Sequence, residues 1–581
     1  VTSHDEELRT KLAAMPALES LDAHSLDRLI AELEWLSLPG GQFLFEQGDR
    51  DDSLYMILSG RLGAIIRDEE GRQILIRKMT SGETVGELAL LSGEPRSASI
   101  FALRDTELVR LSRTNFERLI DQHPRTLRFL TDLLARRLRT PARVAASREA
   151  PRTVTLVPLH PMDVHAFAGS LKEAFRELKL DAILLDKGSS KQPLEWFSQL
   201  EEGQRTLFYL ADPEATEWSQ WCLRQADLVL LLADADSEAT DSWAIRNLET
   251  AAIARAPVEL VLLHGRELRR QSTALKILDR SEIRLHHHVK RAEARDFRRL
   301  ARMIMGRAVG LVLSGGGVRG LSHVGVLRAL REAGVEVDLF GGTSMGAIVA
   351  SCAALGWTDQ RIAEQMRDTF MVNNPLNDYT LPMVSFVRGR RVSQALQKNF
   401  SDQRIEDCHY PFFCVSSNLS TGKVKIHRTG PIWLAVRASV SVPGVLPPVI
   451  EGAQILVDGA VMNNLPVDVM SEMRRGPIIA ADVSSESNFE ASIDDIEQRS
   501  FWQIMRHARR GTPNIVTILV AAGSVGSEAQ LRAMRSHVDL LIQPPLKDVG
   551  MLNWKAFDIA VEAGYRSAVE ALEKGRDSLF R

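Results

Sequence analysis

The chain has 581 residues, enough for three or four domains of ordinary size. Hydrophobic residues make up 45% and charged residues 25%, a balance that excludes a wholly disordered or collagen-like chain. With 72 Lys plus Arg against 75 Asp plus Glu the net charge is −3, so no global basic field exists to hold nucleic acid, and none is expected as a partner. Four scattered cysteines (Cys222, Cys352, Cys408, Cys414) form no C-x-x-C pair and fit a reducing, cytoplasmic compartment. There is no run of about 18 apolar residues and no signal-peptide pattern, so any membrane contact is expected to be peripheral, made from the surface.

In chain order, Leu8, Leu12, Leu18, Leu21, Leu26 and Leu29 make apolar stripes, broken near Pro16, that predict helix over residues 1–35. From Leu38 to about Ser112, runs such as FLFEQ, SLYMILS, LGAIIR and ILIRKM alternate with Gly and Asp turns, the pattern of a compact β-barrel or sandwich. Helical spacing returns over 114–140 through Phe116, Leu119, Ile120, Leu127, Leu130 and Leu134, and residues 141–152 read as a linker. Over 153–305, TVTLVPL, DAILLD, RTLFYLA, ADLVLLLAD and PVELVLLH alternate with amphipathic stretches, predicting a parallel α/β layer. In that region His286 to His288 read as a solvated turn rather than a metal site, and no metal is expected anywhere. The fold expected is therefore multidomain: a helical lead (1–24), a β-barrel with flanking helices (25–140), an α/β middle region (153–305) and a second α/β domain (306–581).

The last of these holds the chemistry. The strand-like VDLFG (337–341) runs into Gly342-Thr343-Ser344-Met345-Gly346 and then the helical AIVASCAAL, a G-x-S-x-G elbow in strand–turn–helix context. Upstream, GLVL (310–313) opens into Ser314-Gly315-Gly316-Gly317-Val318-Arg319-Gly320, whose backbone N–H groups at a helix start suit a phosphate or an oxyanion. Gly315, Gly317 and Gly320 also satisfy the dinucleotide G-x-G-x-x-G. That reading needs an acidic residue closing the second strand, whereas Asp338 precedes the apolar part of it, so the oxyanion reading is preferred. His323, on the helix that follows, reads as a packing residue. A third element is Asp458-Gly459-Ala460 after the strand QILV, preceded by Ala438-Ser-Val-Ser-Val-Pro443-Gly444-Val-Leu-Pro447-Pro448.

Taken in this order, GGGVRG, GTSMG, ASVSVPGVLPP and DGA resemble the patatin-like phospholipases over about 150 residues. The resemblance implies Ser344 as nucleophile, Asp458 as sole base, and an oxyanion hole from the backbone of Gly315, Gly316, Gly317 and Arg319, with no catalytic cofactor. A lone aspartate, whose ordinary pKa is about 3.9, must be made more basic by burial. The alternative is a Ser…Asp…His order using His507 or His537.

In the β-rich region, Gly82-Glu83-Thr-Val-Gly86-Glu87-Leu-Ala-Leu precedes Pro95-Arg96-Ser97-Ala98-Ser99 and resembles the phosphate cassette of cyclic-nucleotide-binding domains. By that resemblance Glu87 takes the ribose 2′-OH, Arg96 the cyclic phosphate, and Gly86, Ser97 and Ala98 line it, with cAMP or cGMP as ligand. The other reading keeps the cassette as a fold element that binds nothing. Helix 114–140 would be the lid.

A nucleotide module joined to a patatin-like domain is similar to the neuropathy target esterase family, whose members hydrolyse lysophospholipids; residues 212–234 and 547–565 also resemble those proteins. The implied function is hydrolysis of lipid acyl esters, and the alternative is a nucleotide sensor with an inactive hydrolase domain. The stretch 382–391, with Met383, Phe386 and Val387 beside Arg388, Arg390 and Arg391, reads either as a lipid-facing rim or as a core strand ending in a basic turn.

Overall fold

A computed structural model describes the chain except for residues 1–8, 14, 16–17, 19–20, 51, 68–72, 124–130, 132–149, 204, 238–241, 249–255, 269–276, 279–282, 382, 485–533, 548, 576–578 and 580–581. It divides into one unit of residues 1–234, 238–261 and 276–285, and a second of 235–237, 262–275 and 286–581.

The first unit begins with helical residues 9–13 and helix α1 (Ala23–Ala31), whose N-terminus is capped by the Asp22 carboxylate accepting from Ser25 N–H. Strands β1 (Glu34–Leu38), β2 (Phe43–Phe45), β3 (Leu54–Ser59), β4 (Arg61–Arg67), β5 (Gln73–Thr80), β6 (Thr84–Val85), β7 (Ser99–Ala102) and β8 (Thr106–Leu111) follow. They form two antiparallel sheets, β1-β8-β3-β6 and β2-β7-β4-β5. The first strand thus starts at Glu34, within the stretch expected to be helical. Strand β3 is buried along its whole length because alternate residues serve two cores. Tyr55 and Ile57 pack among apolar residues of both sheets, while Leu54, Met56 and Leu58 pack with Leu26 and Leu29 of α1 and with Phe116 and Leu119. Phe116 and Leu119 lie on the helix α3 (Arg113–Gln122), which follows the short α2 (Glu87–Ser92). The rest of the predicted helix 114–140, apart from His123 and Thr131, lies outside the described residues.

Strands β9 (Thr153–Pro158), β10 (Asp181–Leu185), β11 (Arg205–Leu210), β12 (Leu228–Asp234), β13 (Val258–His264) and β14 (Ile283–Lys290) make a six-stranded sheet in the order β10-β11-β9-β12-β13-β14. β10, β11, β9 and β12 pair in parallel, as the alternation of apolar runs and helices requires. Within the first unit the barrel is joined to this α/β region by ion pairs. Arg61 Nη1 lies 2.9 Å from Asp227 Oδ1, Arg104 pairs with Glu201, and Arg224 Nε donates to Asp105 at 3.2 Å. The expected solvated turn at His286 to His288 is instead part of β14. His287 and His288 are buried, His264 Nε2 meets His288 Nδ1 at 2.8 Å, and His288 Nε2 meets Glu406 O at 2.8 Å. Burial holds the His264 and His286 imidazoles down at about 4 and that of His288 well below its ordinary value, so these three rings stay neutral. Hydrogen bonding between neutral rings is what lets so polar a tripeptide enter a sheet.

The second unit is built on an eight-stranded sheet of β15 (Gly310–Leu313), β16 (Leu339–Thr343), β17 (Phe412–Asn418), β18 (Lys423–His427), β19 (Val449–Glu451), β20 (Gln454–Asp458), β21 (Ile478–Ala481) and β22 (Leu540–Ile542). Its order is β19-β20-β17-β16-β15-β21-β22, with β18 on β17. The strands β17, β16, β15, β21 and β22 run parallel, and β18 and β20 run antiparallel to β17. Helices α4 (Ser322–Glu332) and α5 (Met345–Ala354) follow β15 and β16, and α8 (Phe557–Gly575) comes after β22. Between them lie α6 (Arg390–Phe400) and α7 (Ile432–Ser439).

Candidate active site and nucleotide cassette

Register brings the two residues together. Thr343 pairs with Val415 and Ser416 with Asp458, so Ser344, just past β16, and Asp458, ending β20, reach the same level across β17. Ser344 sits at φ 53°, ψ −122°, a conformation that costs a non-glycine residue of order 1–3 kcal/mol and presents its hydroxyl at the head of α5. The turn is tight because Gly346 runs against β15: a Cβ there would lie 2.2 Å from Leu313 O. Ser344 Oγ donates to Asp458 Oδ2 at 2.7 Å. Ser344 N donates to Ser439 Oγ at 2.9 Å, and Ser439 Oγ in turn donates to Val415 O at 2.7 Å, which fixes the elbow to α7 and β17.

Asp458 is buried. Its Oδ1 accepts from Ala460 N at 2.9 Å and its own N–H donates to Ser441 O at 2.9 Å. Burial pushes the carboxyl up to about 7, against the lowering pull of the Ala460 N–H and the Ser344 hydroxyl. Among the described residues no imidazole hydrogen-bonds to Asp458. His537 is exposed, with Nδ1 3.4 Å from Ser536 Oγ, and His507 lies outside the described residues.

The glycine loop after β15 is organised by Asn464. Gly315 N donates to Asn464 Oδ1 at 3.0 Å, Asn464 Nδ2 returns a bond to Gly315 O at 3.3 Å, and Arg319 N donates to Gly316 O at 3.2 Å. Arg319 Nε donates to Val549 O at 2.7 Å, tying the loop to the C-terminal segment. The N–H groups of Gly316 and Gly317 donate to no described residue. His323 is an interior residue, its Nε2 2.8 Å from Ser314 O. Asp338 is held in a buried bidentate pair with Arg302, at 2.9 and 2.6 Å, and also accepts from Val309 N at 3.0 Å.

Three features went unread in the sequence: the Asn464 clasp, the Ser439 bridge, and a buried pair in which Ser416 Oγ lies 2.8 Å from His427 Nε2. Ser439 stood inside the quoted ASVSVPG motif; the other two carry no local signal.

In the barrel, Arg96 is buried with its guanidinium 4.0 Å over the Phe45 ring, donating to Gly86 O at 2.9 Å and Ser53 O at 2.8 Å. Gly86 has φ 92°, and a Cβ there would lie 2.4 Å from Arg96 Nη1, so only glycine fits. Glu87 opens α2 and is buried, while Ser97 is exposed and Ala98 half-buried beside Arg96. All five cassette residues of the sequence reading therefore meet where β6 ends and β7 begins.

Compared with known proteins, residues 311–471 match the family described as patatin-like phospholipase, residues 35–123 the cyclic nucleotide-binding domain, and residues 151–304 the Neuropathy Target Esterase family P-loop like domain. The chain thus combines a nucleotide-binding-type barrel with a patatin-like α/β domain. It is 33% identical over 603 residues to an uncharacterized NTE family protein of Mycobacterium tuberculosis, covering 98% of this chain and 97% of that one. It belongs to the neuropathy target esterase (NTE) family. It is also 29% identical to the human patatin-like phospholipase domain-containing protein 6 and 31% identical to Lysophospholipase NTE1 of Cryptococcus neoformans var. neoformans. Those matches cover 92% and 81% of this chain but 44% and 33% of the relatives, so the chain spans less than half of either. No helix among the described residues is long and apolar enough to cross a membrane.

Proposed function

We propose that the chain is a lipid carboxylic ester hydrolase, acting on lysophospholipids or related acyl lipids through Ser344 and Asp458. The carrying observation is the 2.7 Å hydrogen bond from Ser344 Oγ to a buried carboxylate whose pKa is lifted to about 7. Asp458 takes the hydroxyl proton as Oγ attacks the acyl carbonyl, and the N–H groups of Gly316 and Gly317 receive the developing oxyanion. The protonated Asp458 then hands its proton to the departing alcohol, and water releases the acyl group by the same steps in reverse order. The name of the Cryptococcus relative supports the lysophospholipid class. Labelling with a fluorophosphonate probe tests the reading: wild type should be labelled and should release fatty acid from a lysophospholipid panel. Ser344→Ala should do neither while keeping its circular dichroism spectrum. A folded Ser344→Ala protein with full activity would end the assignment.

Gly86, Glu87, Arg96, Ser97 and Ala98 form the proposed site for cAMP or cGMP. The effect of nucleotide leaves the barrel through its contacts with the α/β region of the same unit, Arg61 with Asp227 and Arg104 with Glu201. The domain limits proposed are 1–24, 25–140, 141–152, 153–305 and 306–581. The proposed setting is cytoplasmic, with peripheral contact to lipid.

A further inference from the structure

Fourteen large apolar side chains are exposed among the described residues, and seven of them, Met371, Val372, Tyr379, Leu381, Met383, Val384 and Phe386, fall within sixteen positions. Soluble surfaces scatter such residues singly, so this concentration marks a contact surface. Residues 378–381 and 383–388 pair as the two arms of a small antiparallel hairpin: Tyr379 bridges Val387, Thr380 N donates to Phe386 O at 3.0 Å, and Arg388 N donates to Asp378 O at 2.9 Å. Its tip is apolar and wet, with Leu381 76%, Met383 84% and Val384 68% exposed. Its base is cationic, with Arg388, Arg390 and Arg391 all exposed, and Asp378 turned inward to accept from Arg391 N at 3.2 Å.

The base is anchored beside the dyad. Phe386 N donates to Gly444 O at 2.8 Å and Val387 N to Val445 O at 3.0 Å. That segment follows α7, whose Ser439 holds the Ser344 N–H. Arg437 of the same helix is buried, donating Nη2 to Pro447 O at 3.2 Å and Nε to Ser393 Oγ at 3.2 Å, which fastens α6, the 441–447 segment and the hairpin base into one piece.

We propose that this hairpin is the docking element for an anionic phospholipid surface, with its apolar tip inserted and its three arginines at headgroup level. Four residue steps separate Val387 from Met383 at the tip, a reach of at most about 13 Å at ~3.3 Å each, enough for the roughly 5–10 Å to which interfacial elements bury apolar side chains. The cations then sit where anionic headgroups attract them. The alternative of a core strand ending in a basic turn does not apply, because among the described residues of 382–391 only Ser385, Val387 and Gly389 are buried.

The proposal rests on the lipid hydrolase reading for its purpose but not for its test. In flotation with mixed phosphatidylglycerol–phosphatidylcholine vesicles, the full chain and its Ser344→Ala variant should bind alike. Leu381→Ser/Met383→Ser/Val384→Ser, and separately Arg388→Gln/Arg390→Gln/Arg391→Gln, should each weaken partitioning at least about tenfold, the arginine set only on the anionic vesicles. Undiminished binding of both sets, or no binding by the parent chain, overturns the proposal. So does a chain that runs as a dimer on sizing and becomes monomeric in the tip variant with vesicle binding unchanged, since the tip would then belong to a second copy. Hydrolysis of a short water-soluble ester by the wild type tests the hydrolase reading on its own.

Discussion

Replacing Asp458 by asparagine removes a charge the fold holds at a cost, so the variant should be inactive and yet more stable at alkaline pH. The carboxyl's ordinary value near 3.8 is raised to about 7 in the folded chain by burial. The unfolded chain therefore gives up this proton more readily than the folded one, and the ionised group opposes folding. Below an ordinary carboxyl pKa both states are protonated and the group contributes nothing. Between there and pH 7 the opposition grows by about 1.4 kcal/mol per unit, and above pH 7 it levels near 4 kcal/mol, an order-of-magnitude figure. Asparagine retains an oxygen for the Ala460 N–H but no longer accepts the Ser344 proton, a loss of about 1 kcal/mol. The net gain at pH 8 is therefore about 3 kcal/mol, or roughly 5–10 °C in the melting of a domain of this size. At pH 5 most of that gain should be gone. Calorimetric scans of wild type and Asp458→Asn from pH 5 to pH 8 read it directly. A separation that stays constant across that range, or an asparagine variant less stable at pH 8, would refute the argument.

The same group sets the rate profile: kcat/KM should fall about tenfold per unit below pH ~7 and flatten above it, because only the ionised Asp458 accepts the serine proton. A profile flat from pH 5 to pH 8 would remove Asp458 as the base. Arg96→Ala should weaken cAMP and cGMP binding by about 10–100-fold in titration calorimetry, the range of a lost charge-assisted contact. It should also lower the barrel's melting point, since the guanidinium stacks on Phe45 and bonds Gly86 O and Ser53 O. Gly325→Ala should destabilise the second unit by about 3 kcal/mol in urea, because its Cβ would lie 1.9 Å from Val561 O where α4 crosses α8.

Much of the site was legible because its demands are local. The elbow GTSMG declares itself through the glycines flanking a serine in a strained conformation, and the cassette through Gly86 at φ 92° against Arg96. The strands β9, β11 and β12 were equally plain, since buried parallel strands read as unbroken apolar runs. β14 was not, because three histidines look like a solvated turn until His264 and Glu406 supply hydrogen bonds from distant parts of the chain.

By itself the sequence determined which backbone turns could form and which side chains could do chemistry, because those depend on neighbours within a few residues. Tertiary structure decided the rest. The 114-residue separation of Ser344 and Asp458 closes only through the register of β17 with β16 on one side and β20 on the other. Among the described residues the same packing gives the Gly316 and Gly317 N–H groups no acceptor while Asn464 occupies Gly315, and it leaves Leu381, Met383 and Val384 in water. Pairing and burial are properties of contacts between remote segments, and no periodicity along the chain encodes which remote segment will arrive.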